Sequence, residues 1–259
     1  MARFRWILVL LSLGSPLQTW AAESIYKPHW GRDRTVTGVS LATTSLLYLF
    51  DKQIINPRCP CPLTDLNPLD RTVVGNKNND ALLATDVILG VSYGAPLLID
   101  WVAMGGFKPA FWEDTMVFAE VMAVSAVLVS ATKVIVQRPI PRAYDGDPNY
   151  VNNVAGYRSF YSGHVATTMA ALSAGAMMLN YRSKHKVWPW LVVGGTGLAV
   201  AAGRVAGGVH FYSDVIVGAA VGTLVGTIIP LLHHRKGGGS ALMVVPQPGG
   251  AVALWTQAL

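Results

Sequence analysis

Six apolar stretches, separated by short polar segments, run along the chain at about residues 36–50, 81–103, 115–137, 160–180, 187–206 and 211–232. A helix that crosses the hydrocarbon core of a bilayer needs about 20 consecutive, mostly apolar residues. The last five stretches approach or reach that length and predict helices that cross or nearly cross a membrane. The first is shorter and carries three threonines and two serines, so the pattern leaves its crossing open. Gly and Ala are frequent between residues 165 and 226, as in Gly194-Gly195-Thr196-Gly197 and Gly218-Ala219-Ala220-Val221-Gly222. Small residues let membrane helices approach closely. The expected fold class is all-α, a multi-span helical bundle.

The two ends of the chain read differently from its body. A basic start, Met1-Ala2-Arg3-Phe4-Arg5, precedes an apolar run from Trp6 to Leu13 and ends in Thr19-Trp20-Ala21-Ala22. This is the pattern of a secretory signal peptide with cleavage after Ala21, and the alternative is an uncleaved anchor. At the other end, Ser240 to Trp255 forms two short apolar runs around Pro-Gln-Pro-Gly-Gly, which predicts a small hairpin. The chain thus divides into a leader (1–21), an N-terminal helix and loop (22–80), a helical domain (81–236) and a tail (237–259).

Composition supports a membrane protein. Of 259 residues, 52% are hydrophobic and 13% charged, about half the charge of an ordinary soluble domain. Mean hydropathy is +0.39. A disordered chain and a coiled coil are excluded. The net charge of +6 comes from only 20 Lys and Arg without a long basic run, so nucleic acid is not the expected partner. Anionic lipid or an anionic substrate remains. Cys59 and Cys61 stand in Arg-Cys-Pro-Cys-Pro. Bridging residues two apart strains the loop, so free thiols or an intermolecular bond are expected before a mutual disulfide. No ligand spacing for a metal is visible.

Loop charge suggests an orientation. Arg182-Ser183-Lys184-His185-Lys186 and His233-His234-Arg235-Lys236 lie at one end of the predicted bundle. Short loops rich in Lys and Arg stay in the cytoplasm. The loops at 138–159 and 204–210 then face the periplasm or exterior. A cleaved leader would also leave residue 22 outside, which forces the 36–50 stretch to enter and leave on one side. This conflict is not settled by the pattern.

The outward ends hold the ionisable residues. Lys133 closes the third stretch and Arg138-Pro139-Ile140-Pro141-Arg142 follows it. Arg158-Ser159-Phe160-Tyr161-Ser162-Gly163-His164 opens the fourth, and Gly203-Arg204 to His210 and Asp214 opens the sixth. Taken singly, each has a structural explanation: a snorkelling Lys, a Ser cap, a packed His, an i,i+4 pair. Together they suit a phosphate ester. Lys133, Arg204 and arginines of 138–158 supply positive charge. Backbone N–H groups at Ser162-Gly163 suit an anion at a helix start. Two histidines, His164 and His210, can divide the work of nucleophile and proton donor, with Asp214 fixing the His210 tautomer.

These blocks resemble the type 2 phosphatidic acid phosphatase (PAP2) family, which shares its site with vanadium haloperoxidases. The family has Lys-x6-Arg-Pro, then Pro-Ser-Gly-His, then Ser-Arg-x5-His-x3-Asp. Arg204, His210 and Asp214 match the third block, with Gly203 in place of Ser; Ser162, Gly163 and His164 match the second, with Tyr161 in place of Pro. The first departs more: seven residues after Lys133 stands Ile140 where the family has Arg, although Pro141 matches. The resemblance covers about residues 80–232 and implies a PAP2-like phosphatase domain over 81–236.

The resemblance implies a mechanism and a setting. His210 would attack phosphorus, Asp214 would orient it, and His164 would act as acid and then base. Lys133, Arg204 and the Ser162-Gly163 backbone would hold the phosphoryl oxygens, with Arg138 or Arg142 assisting. No metal or other cofactor is implied, and no obligate protein partner. The expected substrate is a lipid phosphate such as phosphatidic acid, phosphatidylglycerol phosphate, a polyprenyl diphosphate or a lipid A phosphate. The expected place is a bacterial cell-envelope membrane with the site outward. The rival readings are a vanadate-dependent haloperoxidase and a non-catalytic membrane protein on the same fold.

Overall fold

A computed structural model of the chain describes residues 24–183, 186–235, 240–247 and 250–257. The predicted leader, residues 1–21, lies outside these. Six long helices make up the bundle: α1 (Trp30–Leu49), α2 (Asn79–Met104), α3 (Pro109–Val136), α4 (Gly163–Arg182), α5 (Trp188–Ala206) and α6 (Tyr212–His233). Short helical turns occupy the two longer loops, 50–78 and 137–162. The tail is the expected hairpin: β1 (Ser240–Gln247) pairs antiparallel with β2 (Gly250–Gln257), Ser240 opposite Gln257.

Among the described residues, four segments are long and apolar enough to cross a membrane: Asn79–Met104, Pro109–Tyr144, Trp188–Ala206 and Tyr212–His233. The stretch at 160–180, expected to be a fifth, is α4. It packs against α2, α3, α5 and α6, and Ala, Ser, Thr and Gly at its buried positions suit close helix approach. A helix enclosed by protein does not need a lipid-like surface. Lipid-facing character shows instead on α2, where Leu83, Val87, Val91 and Leu98 form an exposed apolar stripe at helical spacing.

The α4–α6 seam sets the bundle's register. A Cβ on Gly218, Gly222 or Gly226 would stand 2.7, 2.1 and 2.3 Å from the carbonyl oxygens of Ser162, Ala166 and Ala170. Three glycines four residues apart therefore lie directly on the α4 backbone, and no side chain fits between. Since α4 starts at Gly163 and α6 at Tyr212, this seam also fixes the height of His164 relative to His210.

The helices alternate in direction. Asp33, near the start of α1, meets His233 at the end of α6 (3.1 Å). Asp51, just past α1, pairs with Arg158 in the loop before α4. The 20 residues of α1, about 30 Å of helix, thus run from one end of the bundle to the other, although α1 is not among the segments apolar enough to cross a membrane. Residues 24–29 lie at the end opposite the 138–159 loop, where the Lys27 N–H donates to the His233 carbonyl at 2.8 Å.

Two sequence expectations change. Cys59 and Cys61 form a disulfide, their Cα atoms 4.5 Å apart, within the distance a bridge requires. Arg182, counted as a cytoplasmic loop charge, is buried between Asp100 at 3.0 Å and Asp114. Its charge is matched inside the bundle, so it carries no information about orientation.

Candidate active site

The predicted residues meet at one end of the bundle, brought by four elements. Lys133 comes from the last turn of α3, Ser162 and His164 from the start of α4, Arg204 from the end of α5, and His210 and Asp214 from the loop into α6. Lys133 lies over the first residue of α4, its Nζ 3.7 Å from where a Gly163 Cβ would stand, and donates to the Arg158 carbonyl at 2.9 Å. The Ser162 side chain makes no cap to α4, and its Oγ is buried with no hydrogen-bond partner. The first N–H groups of α4 are therefore open to an anion.

His210 is held in one tautomer. Its Nδ1 stands 2.8 Å from the backbone carbonyl of Ser159. A carbonyl only accepts, so Nδ1 carries the proton and Nε2 keeps its lone pair. Asp214 Oδ2 is farther from Nδ1, at 3.8 Å. Burial, against the opposing pull of Asp214, holds the His210 imidazolium down at about 4, so the ring is neutral at pH 7. Lys133 and Arg204 lie within electrostatic reach of it.

Asp214 is engaged elsewhere. Oδ1 takes Arg138 Nη1 at 2.5 Å. Oδ2 takes the Ser159 hydroxyl at 2.5 Å and the Phe211 N–H at 2.9 Å. The carboxylate fixes the two backbone segments that flank the His210 ring. Arg138 also bonds Asp70 at 2.9 Å and Ser213 at 2.7 Å. Burial works against the Asp70 charge, but hydrogen bonds from Ser213, Arg138 and Asn67 hold its carboxyl below the usual range. Arg142 is buried, donating to the Gly207 carbonyl and to Asn79 Oδ1, both at 2.8 Å. Both flanking arginines are thus committed to protein groups, and the cations left facing the histidines are Lys133 and Arg204.

Two departures from the family pattern have steric reasons. At Gly203, a Cβ would stand 2.5 Å from Thr85 Cγ2, so α2 leaves no room for a serine. Ile140 is buried with Ala143 and Val209; Arg138, two residues earlier, is the arginine that turns toward the third block.

Two residues, Asp86 and Asp70, escaped the sequence analysis. Asp86 of α2 presents Oδ1 to both His164 Nε2 and Arg204 Nη1, each at 2.8 Å. It is one aspartate among the polar positions of an apolar helix, with no motif around it. Asp70, in the short turn Pro68–Arg71 of the 50–78 loop, likewise carries no motif.

Residues 114–237 match the PAP2 superfamily. This part of the chain is similar to that family. The match points to a phosphatase, a phosphoric ester hydrolase. Its lower bound lies inside α3, so α1 and α2, and with them Asp86, fall outside the matched region. The crystal structure of Aquifex aeolicus LpxE is similar at a TM-score of 0.44 and 23% identity, over 62% of this chain and 92% of that one. No curated protein sequence matches the chain.

Metal donors gather elsewhere. Among the described residues, Asp33, Glu120 and His233 bring ligand atoms within 4.8 Å of one another, at the end opposite the PAP2 histidines.

Proposed function

We propose that this PAP2-type phosphatase hydrolyses a lipid phosphate through a phosphohistidine on His210. The observation that carries the reading is the Nδ1 contact to the Ser159 carbonyl, which leaves Nε2 unprotonated beside Lys133 and Arg204. Nε2 attacks phosphorus, and the ester P–O bond breaks in line with it. Burial and Arg204 hold the His164 imidazolium down at about 4 in the empty site, so His164 takes its proton from the entering phosphate monoanion and, as the alcohol departs neutral, passes it to the leaving alkoxide. It then takes a proton from water, whose oxygen attacks phosphorus. The N–P bond breaks, inorganic phosphate leaves, and both histidines return to their starting state. Lys133, Arg204 and the open N–H groups of α4 hold the phosphoryl oxygens throughout.

Four apolar segments and a site at their ends favour a substrate anchored in the same bilayer. An outward site is favoured by the Cys59–Cys61 disulfide, because disulfides persist in oxidising compartments. Cys59 is tied to the site end, its N–H donating to the Tyr157 hydroxyl at 2.7 Å. This orientation puts residues 24–29 on the inner side, which fits a retained leader better than one cleaved after Ala21.

The test is phosphate release by the detergent-purified full chain over a panel of phosphatidic acid, phosphatidylglycerol phosphate, a polyprenyl diphosphate and a lipid A phosphate, with chelator present. The expected result is turnover that survives chelator, is inhibited by vanadate and disappears in His210→Ala, with an acid-labile, base-stable phosphoenzyme trapped in the native chain. Turnover abolished by chelator, or retained without His210, overturns the mechanism.

A further inference from the structure

The substrate-free site already holds an anion of its own. Asp86 Oδ1 receives His164 Nε2 and Arg204 Nη1 at the same 2.8 Å. These are the donors assigned above to the leaving group and to the phosphoryl oxygens. One carboxylate oxygen thus stands where a phosphate oxygen bonded to both would stand. Arg204 Nε, buried with no hydrogen-bond partner, is a further donor that a four-oxygen ligand can use and a carboxylate does not.

The geometry limits how Asp86 yields. Its backbone is held because Thr85, the preceding residue, lies against Gly203 of α5 and accepts Arg204 Nη1 at 3.2 Å. Only the side chain is free to turn, and with 56% of it exposed it has open space to turn into. A rotated Asp86 therefore stays at the rim of the site as a fixed negative charge. The charges facing the ligand are Lys133 and Arg204 against Asp86, since Asp214 is matched by Arg138. A phosphate monoester fits that balance; a diphosphate brings a second phosphate toward the Asp86 carboxylate, and the repulsion acts in a partly desolvated site.

We propose that Asp86 is a specificity-determining residue, which occupies a phosphoryl-oxygen position in the empty site and, once displaced, discriminates against diphosphates in favour of phosphate monoesters. This rests on the phosphatase reading above and adds a substrate class to it.

The experiment uses the full chain in detergent, as native protein, Asp86→Asn and the control Asp80→Asn, an exposed carboxylate on the same helix. Orthophosphate and orthovanadate binding are measured without substrate, and kcat and KM with phosphatidic acid and a prenyl diphosphate. In Asp86→Asn, orthophosphate and orthovanadate should bind about tenfold more tightly. KM for phosphatidic acid should fall, and the diphosphate-to-monoester ratio of kcat/KM should rise about tenfold or more. Asp80→Asn should match the native protein. Unchanged anion binding, an unchanged ratio, or a loss of kcat on both substrates in Asp86→Asn overturns the proposal; the last would make Asp86 a positioning residue for His164. A native chain with no turnover on any phosphate ester defeats the phosphatase reading instead, and the anion-binding comparison still decides the role of Asp86.

Discussion

His210 Nδ1 lies 2.8 Å from the carbonyl oxygen of Ser159. A backbone atom therefore sets the tautomer of the proposed nucleophile. Asp214, at 3.8 Å from Nδ1, spends its hydrogen bonds on Arg138, Ser159 Oγ and Phe211 N–H. The two residues should separate in mutagenesis. His210→Ala should lose at least about a thousandfold in kcat with a smaller loss of stability, about 1 kcal/mol for its one hydrogen bond to Ser159. Asp214→Ala removes the shared acceptor of Arg138, the Ser159 hydroxyl and the Phe211 N–H and should lose about 3 kcal/mol of stability along with activity. Thermal unfolding in detergent beside kcat checks this; an Asp214→Ala chain as stable as His210→Ala would contradict it.

The depressed pKa of His210 has a pH signature. Its imidazolium is held at about 4 by burial, against about 6.5 in an unfolded chain. The neutral ring's contribution to stability is complete above about pH 6.5. It is lost as pH falls toward 4, because in that window the unfolded chain binds a proton that the folded chain does not. That is about 3 kcal/mol across the window. Melting temperatures measured between pH 7 and 4 should fall more steeply for the native chain than for His210→Gln. Parallel curves would show that burial of His210 does not govern the acid limit.

Helix contact along the α4–α6 seam should matter to both stability and rate. A Cβ on Gly222 would stand 2.1 Å from the Ala166 carbonyl, so Gly222→Ala must part the helices that carry His164 and His210. The expected cost is about 2 kcal/mol or more, with a drop in kcat of at least about tenfold. Gly194→Ala, where nothing lies within 4 Å, should be neutral. The pair is compared by thermal unfolding and turnover.

Restoring the family's arginine at position 140 is not expected to help. Ile140 is 3% exposed and packs with Ala143 and Val209. A guanidinium there has no carboxylate waiting and displaces Val209, next to the nucleophile. Ile140→Arg should lower both melting temperature and kcat. Turnover at or above the native rate would mean that the arginine reaches the phosphoryl group from this position.

Sidedness is checked with single cysteines in a Cys59→Ser, Cys61→Ser background. Asn149→Cys, in the exposed loop before α4, should react in intact cells with a membrane-impermeant maleimide. Lys186→Cys, at the opposite end, should react only after lysis. The reverse pattern would place the site on the cytoplasmic side.

Much of the chain was legible before its structure. The apolar runs locate α2, α3, α5 and α6 because a membrane helix must satisfy its backbone internally and present apolar side chains to lipid, which leaves a local record in the sequence. The second and third blocks were readable for a similar reason: His164 and Ser162 share one helix start, and Arg204, His210 and Asp214 one short connection. Even the tail hairpin follows from local turn residues.

What spacing does not carry is which distant groups share a partner. Arg182 reads as a loop charge until α2 and α3 bring Asp100 and Asp114 to it. Asp86 reads as a stray polar residue until the contact of Thr85 with Gly203 sets it between His164 and Arg204. Asp214 reads as a simple partner of His210 until Arg138 and Ser159 claim its oxygens. Amino-acid order alone determined the helices, their polarity and the chemistry at their ends. Only the tertiary structure decided how those charges are paired, because pairing depends on the register in which helices pack, and that register is set by close backbone contact at a few glycines.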